Sequence, residues 1–371
     1  MNYPYLEFSN IGSILIYIGI VVFATYFMYL ADIVASHQRK KIYLVLVFLI
    51  ISVPAATRYD VGNDYLAYLK LSEYFQSFSS IIAAKAVHDV EYSFIIMSFV
   101  FKNAPMLIFA TYALLTQFFI IKGIWYHREY ISPSLFLFIY LMSFYLRTYN
   151  IFRQSLAIAI VFFAIKYIKE KKLAKYILFV CIATLFHKTA FVSIILYYWL
   201  QPSKAMSTAK KVLMYTWPIF VLLLSDGLIN KVYSIIPFFK SYASTYQLVA
   251  GESIFTIGSL LQTFIYVLYL YNRKKIRNGK DEFTMSLLDK SMLAQIFFHF
   301  ASYKLDHAAR IGLYFNFSFY LGLASFHKKG KKILIKKMTR NELFLIVYSI
   351  YQFSVILISN RFNSLPFKIW L

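Results

Sequence analysis

The sequence predicts an all-α protein that crosses a membrane many times, and three observations support this fold class. Hydrophobic residues make up 60% of the 371 residues and charged residues only 15%, whereas soluble domains carry about 25% charged residues. Apolar runs of bilayer-spanning length recur along the whole chain. Basic residues cluster in short segments between these runs, as in the cytoplasmic loops of polytopic membrane proteins. We therefore expect a single transmembrane domain over residues 1–371.

The basic clusters set the predicted topology. A net charge of +23 would suggest nucleic-acid binding in a soluble protein. Here the charge lies between apolar runs, so no nucleic-acid partner is expected. The clusters assigned to the cytoplasm are residues 37–41, 126–128, 169–175, 203–211, 273–277 and 327–337.

About twelve spans fit between these clusters, with both termini outside. The first run is interpreted as a retained span, because no basic residue precedes it and no small-residue cleavage pattern follows it. The predicted spans are residues 11–31, 42–57, 105–124, 133–147, 153–168, 175–186, 189–200, 212–226, 254–271, 284–302, 311–326 and 340–358. The run 92–101 is too short to span and is predicted to be re-entrant or interfacial.

The outer side collects acid, base and histidine together, in the predicted loops 58–104 and 227–253 and at several span ends. The cytoplasmic clusters, in contrast, are nearly pure lysine and arginine. A mixed cluster on one face is expected where a polar substrate binds, so candidate site residues are sought there.

The densest such group follows the second span and comprises Arg58, Asp60, Gly62, Asp64, Tyr65 and Tyr68. If a helix begins after Gly62, Asp64 and Tyr68 share one of its faces, and Gly62 lets the preceding turn close. Two interpretations remain open: the wall of a site, or a solvated rim with a local Arg–Asp pair.

Two arginines flank a predicted outer turn, Arg147 and Arg153, with Gln154 following. Charge within a span costs roughly 2.5–3.5 kcal/mol at mid-membrane, so an anionic partner is expected. That partner is either a carboxylate such as Asp64 or Glu91, or a phosphate of a ligand. Arg310, at another predicted outer span entrance, leaves the same alternatives open.

His187 lies between two apolar runs. An unperturbed imidazole has a pKa of about 6.5 and suits general acid–base chemistry, although a histidine at a span end is also a common interfacial residue. The sequence contains no phosphate-binding loop or zinc spacing. A metal shared by Asp60 and Asp64 is disfavoured, because neighbouring arginines compete for the carboxylates. The single cysteine, Cys181, excludes an internal disulfide.

Taken in order, these motifs resemble those of the EpsG-like branch of the Wzy polysaccharide polymerases. The elements are Arg58-x-x-x-Gly62-x-Asp64-x-x-x-Tyr68, Glu91-Tyr92, Arg153-Gln154-x-x-Ala157, Phe186-His187-x-x-Ala190 and Arg310…Tyr314-Phe315. The main resemblance covers about residues 40–200. Residues 227–253 and the tail 359–371 have no counterpart in this pattern.

The resemblance implies a GT-C-like glycosyltransferase in the bacterial inner membrane that joins undecaprenyl-diphosphate-linked oligosaccharide repeat units on the outer face. The product is expected to be O-antigen, capsule or exopolysaccharide, and membrane lipid and a chain-length regulator protein are expected partners. No metal or cofactor is expected, since a neutralised diphosphate is already a competent leaving group.

Within this interpretation, Arg153 and Arg310 are expected to bind the diphosphate, with Arg58 next, because guanidinium groups bind such anions in a bidentate manner. His187 is the first candidate for the base, followed by Asp64 or Glu91. Tyr65 and Tyr68 are expected to hold the sugar. Two alternatives remain: a flippase for the same lipid-linked unit, and an O-antigen ligase-type transferase.

Overall fold

The computed structural model describes residues 3–88, 90–202, 256–278, 280–303, 306–325 and 340–371. The predicted span 212–226 and the predicted outer loop 227–253 lie outside the described residues. The chain divides into two compact units, one of Met1–Tyr197 with Leu323–Leu371 and the other of Tyr198–Gly322. This division concerns packing, so a single domain over the chain stays a prediction.

The described part of the chain is mostly helical. In order along the chain, the elements are β1 (Tyr5–Glu7), α1 (Asn10–Ile33), α2 (His37–Thr57), α3 (Tyr65–Phe75), α4 (Ile81–Val87), α5 (Tyr92–Val100), α6 (Met106–His127), α7 (Pro133–Tyr140), α8 (Phe152–Lys169), α9 (Leu173–Phe186), α10 (Ile195–Trp199), α11 (Ile257–Arg277), α12 (Glu282–Ala301), α13 (Asp306–Ala324), α14 (Arg340–Ile358) and β2 (Lys368–Trp370).

Four helices among the described residues are long and apolar enough to cross a membrane: Asn10–Ile33, His37–Thr57, Met106–His127 and Asn341–Ile358. Their outward faces are apolar; α1, for example, exposes Leu15 and Val22. Apolar side chains on an exposed helix face suit a lipid environment. A helical membrane protein is thus confirmed, whereas the count of about twelve spans and the GT-C-like architecture stay predictions.

Among the predicted spans that the structure describes, two are not continuous α-helices. In the predicted span 133–147, α7 gives way to a π-helical segment, Leu141–Tyr145, and a 3-10 segment, Leu146–Tyr149. In the predicted span 189–200, the first part is a 3-10 segment, Lys188–Ile194. Such changes in helix type follow from local packing and side-chain hydrogen bonds, which hydrophobic periodicity does not record.

Helix α8 forms the centre of the first unit, where it packs against α6 and α9. Its residues are buried on nearly all sides from Phe152 to Ile165, which is expected of a helix surrounded by others. Arg153 lies in its first turn, whereas Lys166 lies in its last turn. The helix therefore places the guanidinium of Arg153 at one end of the group formed by α6, α8 and α9.

Both chain ends meet in a small antiparallel sheet that the sequence analysis did not predict. Tyr5 pairs with Trp370, Leu6 with Ile369 and Glu7 with Lys368. Strand β2 also bridges to Arg58, directly after α2. The sheet places the chain's last residues against the segment that begins the candidate site.

In the second unit, α11 and α12 pack together, and a half-buried polar contact joins them. Asp289 accepts hydrogen bonds from Arg273 Nε and Nη2 at 2.8 and 2.6 Å and from Tyr269 Oη at 2.7 Å. Lys290 Nζ donates to the carbonyls of Trp199 and Gln201 at 2.6 and 2.7 Å. Both charges therefore have partners within this unit.

Candidate functional site

Arg58 is buried in a cage of aromatic rings, which we call the Arg58 cage (Arg58, Tyr65, Phe109 and Tyr149). Its side chain is 1% exposed, and its guanidinium carbon lies 4.8 Å from the Tyr149 ring and 5.8 Å from the Tyr65 ring. The guanidinium also donates to the carbonyls of Ala55 and Tyr149. Cation–π contacts are each worth about 0.5–2 kcal/mol, so the cage compensates part of the cost of burial.

The turn that follows Arg58 in sequence has an unusual backbone. Asp60 and Gly62 have φ angles of +48° and +112°, a region that favours glycine. A Cβ atom at Gly62 would lie 2.8 Å from the Tyr149 carbonyl oxygen. Asn63 N donates to Asn150 Oδ1 at 2.6 Å. Glycine is therefore required at position 62, as the sequence analysis proposed for the turn.

Helix α3 begins at Tyr65, directly after this turn. Tyr65 is 1% exposed and stacks on Phe109, with ring centroids 4.1 Å apart. Burial raises the pKa of its hydroxyl, although the charge of Arg58 opposes the shift. Asp64 is exposed and precedes the helix without a side-chain capping bond. Asp64 and Tyr68 are joined by a backbone hydrogen bond of 3.0 Å, as expected for positions four residues apart.

A second group, the Arg153 cluster, consists of Tyr68, Glu91, Arg153 and the backbone N–H of Lys188. One Arg153 nitrogen forms an ion pair with Glu91 Oε2, and another donates to the hydroxyl of Tyr68. Lys188 N donates to Glu91 Oε1 at 3.1 Å. The side chains of Arg153 and Glu91 are 15% and 10% exposed, so the pair is largely buried and still reaches the surface.

Aromatic rings join the Arg58 cage to the Arg153 cluster. Phe152, next to Arg153 in α8, lies 5.1 Å from the Tyr68 ring and 5.2 Å from the Phe109 ring. Phe109 in turn stacks on Tyr65. Ring packing of this kind adds about 0.5–1.5 kcal/mol per pair beyond area burial. The two groups therefore belong to one packed wall.

His187 lies at the C-terminal cap of α9, one residue before the N–H that binds Glu91. Its Nδ1 is 2.6 Å from the Thr189 hydroxyl, and its side chain is half-buried. A partner on one ring nitrogen orients an imidazole and selects its tautomer. The structure thus brings the segment that carries His187 to the Arg153 cluster.

The other residues from the sequence analysis occupy varied positions. Gln154 is 3% exposed and follows Arg153 in the first turn of α8. Arg147 is half-buried, with its guanidinium carbon 6.0 Å from the Phe144 ring. Asp60 accepts a hydrogen bond from Lys368 Nζ at 3.1 Å. Arg310 belongs to the second unit and is exposed.

Three polar residues at this site were not singled out by the sequence analysis. Asn150 accepts the Asn63 N–H, the Asn363 carbonyl accepts the Gly62 N–H at 3.1 Å, and Lys368 binds Asp60. Asn150 lies between the two arginines of a motif already selected, so its position was a usable signal. Asn363 and Lys368 lie about 300 residues from their partners, and no local pattern connects them.

The arrangement suits the binding of an anion by Arg153, with His187 on the neighbouring segment as the candidate proton acceptor. Arg153 is held by Glu91 and Tyr68, so its guanidinium is orientated before a ligand arrives. Both Glu91 oxygens already accept hydrogen bonds, which favours a positioning role for this carboxylate. Among the described residues, no three His, Cys, Asp or Glu side chains converge, and we assign no metal ligands.

Comparison with protein families identifies a known group to which this sequence is similar. The family model described as the EpsG family matches residues 41–369, which include every element of the Arg58 cage and the Arg153 cluster. Comparison with curated proteins and with solved structures finds no significant match. The match extends over nearly the whole sequence, and the chain therefore belongs to the EpsG family.

Proposed function

We propose that the protein polymerises undecaprenyl-diphosphate-linked oligosaccharide repeat units at the outer face of the bacterial inner membrane. Membership of the EpsG family supports a polysaccharide polymerase-type function. The observation that carries the proposal is the Arg153 cluster, which unites residues from four separate motifs. The bonded partners are 62 to 97 positions apart in sequence, and they form one connected group of charged and polar atoms.

In the proposed reaction, a hydroxyl oxygen of one repeat unit attacks the anomeric carbon of another. The bond from that carbon to the diphosphate oxygen breaks, and its electron pair leaves with the undecaprenyl diphosphate. The hydroxyl proton passes to a base, for which His187 remains the first candidate. General acid–base catalysis contributes typically a hundredfold to ten-thousandfold in rate.

Arginine residues are proposed to neutralise the departing diphosphate. Arg153 is the first candidate, because it is orientated by Glu91 and Tyr68 and its side chain is 15% exposed. Arg310, which is exposed, is proposed as a second. Arg58 is 1% exposed, which supports a structural role and argues against direct diphosphate binding. The burial of Tyr65 similarly argues against a sugar contact. Tyr68 remains a candidate for the sugar contact, and Asp64 remains a candidate for the base.

The function is tested by the glycan ladder of a strain that lacks the gene and is complemented with wild-type or variant protein. Loss of every chain beyond one repeat unit, restored by the wild-type gene, is the expected result. Accumulation of lipid-linked units on the cytoplasmic side would instead indicate a flippase. Full-length polymer that is not transferred to its final acceptor would indicate a ligase-type transferase.

The proposed topology of about twelve spans places residue 63 outside and residue 274 in the cytoplasm. Both positions are exposed, so labelling reports sidedness and not burial. In a Cys181→Ser background, we expect a membrane-impermeant thiol reagent to modify Asn63→Cys in intact cells and Lys274→Cys only after lysis. Labelling of Lys274→Cys in intact cells would overturn the topology, and lysed cells provide the control for reactivity.

A further inference from the structure

The C-terminal strap, residues 359–371, has no counterpart in the motifs of the sequence analysis, yet it contacts the candidate site. The strap begins with a turn organised by Asn360. Its side-chain oxygen accepts the backbone N–H groups of Ser364 and Leu365 at 2.8 and 3.0 Å, and its Nδ2 donates to the Leu365 carbonyl at 2.8 Å. Local bonds of this type pre-organise a turn, so the strap has a defined shape.

The strap is seated on the start of the chain and on α1. Phe367 N donates to Ser13 Oγ at 2.8 Å, and its carbonyl accepts Phe8 N at 3.0 Å. The hydroxyl of Tyr17 donates to the Ser364 carbonyl at 2.8 Å. Ser13, Tyr17 and Ser364 are each 1% exposed or less, so these bonds lie in a buried interface. Buried hydrogen bonds are costly to leave unmade, and the strap is therefore anchored.

The anchored strap in turn binds the turn between α2 and α3. Lys368 contributes through its backbone and side chain, since its carbonyl accepts Tyr59 N at 2.9 Å and its Nζ donates to Asp60 Oδ2 at 3.1 Å. The Asn363 carbonyl accepts Gly62 N at 3.1 Å. Burial lowers the pKa of Lys368, but the hydrogen bond and charge of Asp60 and the charge of Glu7 outweigh it and raise the pKa overall. The ammonium group therefore stays charged at neutral pH.

These contacts lead directly to the Arg153 cluster. Asp60 and Gly62 have positive φ angles, a conformation that external contacts must maintain. The strap holds the turn through the hydrogen bonds given above, and Tyr149 and Asn150 also lie against it. Helix α3 starts directly after the turn and carries Tyr68 to Arg153.

We propose that the C-terminal strap is an integral part of the candidate site, and that Lys368 is a positioning residue which holds the turn so that α3 presents Tyr68 to Arg153. Lys368 touches no reacting atom in this proposal and acts through Asp60. The effect on catalysis rests on the proposed polymerase function, whereas the seating of the strap can be tested without it.

Seating is tested by disulfide formation in a Cys181→Ser background. Leu6 and Ile369 are paired across the strands, so Leu6→Cys with Ile369→Cys should cross-link under mild oxidation. Leu6→Cys with Trp370→Cys is the matched control, because a shift of one residue places the two side chains on opposite faces of the sheet. Equal cross-linking of both pairs, or cross-linking of the control alone, would overturn the seating.

Positioning is tested by the rate of chain extension with a lipid-linked repeat unit as substrate. We expect Lys368→Met to lower kcat by at least about tenfold, since small displacements of catalytic groups have effects up to about a hundredfold. The KM for the lipid-linked unit should change little. Lys368→Arg, which keeps the charge, should recover most of the rate. Lys70→Met, which removes an exposed lysine on α3, should behave as wild type.

A Lys368→Met enzyme with the kcat of the Lys70→Met control would overturn the positioning role, as would a Lys368→Arg enzyme no better than Lys368→Met. If the wild-type protein extends no chains at all, the proposed function fails instead. In that case the rate at which Asn63→Cys reacts with a thiol reagent still tests the inference. Lys368→Met should increase this rate, and an unchanged rate would overturn the positioning role.

Discussion

Replacing Glu91 with alanine is expected to destabilise the protein by about 3 kcal/mol and to lower the rate of chain extension by about a hundredfold. The variant leaves the guanidinium of Arg153 largely buried without its counter-charge, because the two side chains are only 10% and 15% exposed. It also removes the acceptor for the Lys188 N–H. The measurements are thermal unfolding of the purified protein in detergent and the glycan ladder of complemented cells.

The pair formed by Lys172 and Glu170 provides the control for this prediction. Its atoms are 2.7 Å apart, but its side chains are 50% and 32% exposed. Exposed ion pairs contribute about 0–1 kcal/mol, so Glu170→Ala should shift the unfolding temperature little.

A double-mutant cycle then isolates the buried contact. The variants are Glu91→Ala, Arg153→Met and their combination, and we expect a coupling energy of about 2 kcal/mol. Additive effects of the two substitutions would contradict the ion pair that organises the Arg153 cluster.

Replacing Gly62 with alanine is expected to cost at least about 2 kcal/mol of stability, because two separate effects act at this residue. The φ angle of +112° is unfavourable for any L side chain, and the new Cβ would lie 2.8 Å from the Tyr149 carbonyl oxygen. The turn must shift to relieve this contact, and α3 shifts with it. We expect a lower unfolding temperature together with loss of long glycan chains.

Gly19→Ala in α1 is the matched control for Gly62→Ala. A Cβ at Gly19 meets nothing nearer than the Phe23 ring, at 4.0 Å, and alanine is favoured over glycine in a helix interior by about 1 kcal/mol. This variant should unfold at or above the wild-type temperature and support normal glycan. If Gly62→Ala were equally tolerated, the turn would not have the conformation described.

Much of the site could be selected from sequence because charge is conspicuous in an apolar chain. Tyr68, Glu91 and Arg153 were all chosen as candidates, and Glu91 was one of the two carboxylates proposed as a partner for Arg153. The structure joins these two residues directly. Asp64, the other carboxylate considered, is exposed at the start of α3.

The burial of Arg58 could not be predicted in the same way. A motif records the order of residues but not their depth, and an arginine after an apolar run looks the same at a rim or in a core. The cage requires Tyr65, Phe109 and Tyr149 to converge from three segments, and only tertiary packing decides whether they do.

The sequence by itself determined that this protein is a helical membrane protein and identified its family, because composition, apolar runs and ordered motifs are properties of the linear chain. Tertiary structure alone decided that Glu91 pairs with Arg153, that Arg58 is enclosed by aromatic rings and that Lys368 reaches Asp60. The physical reason is one of distance along the chain. Hydrogen bonds and ion pairs act over a few ångströms, whereas Glu91 and Arg153 are separated by 62 residues, Arg58 and Tyr149 by 91, and Asp60 and Lys368 by 308.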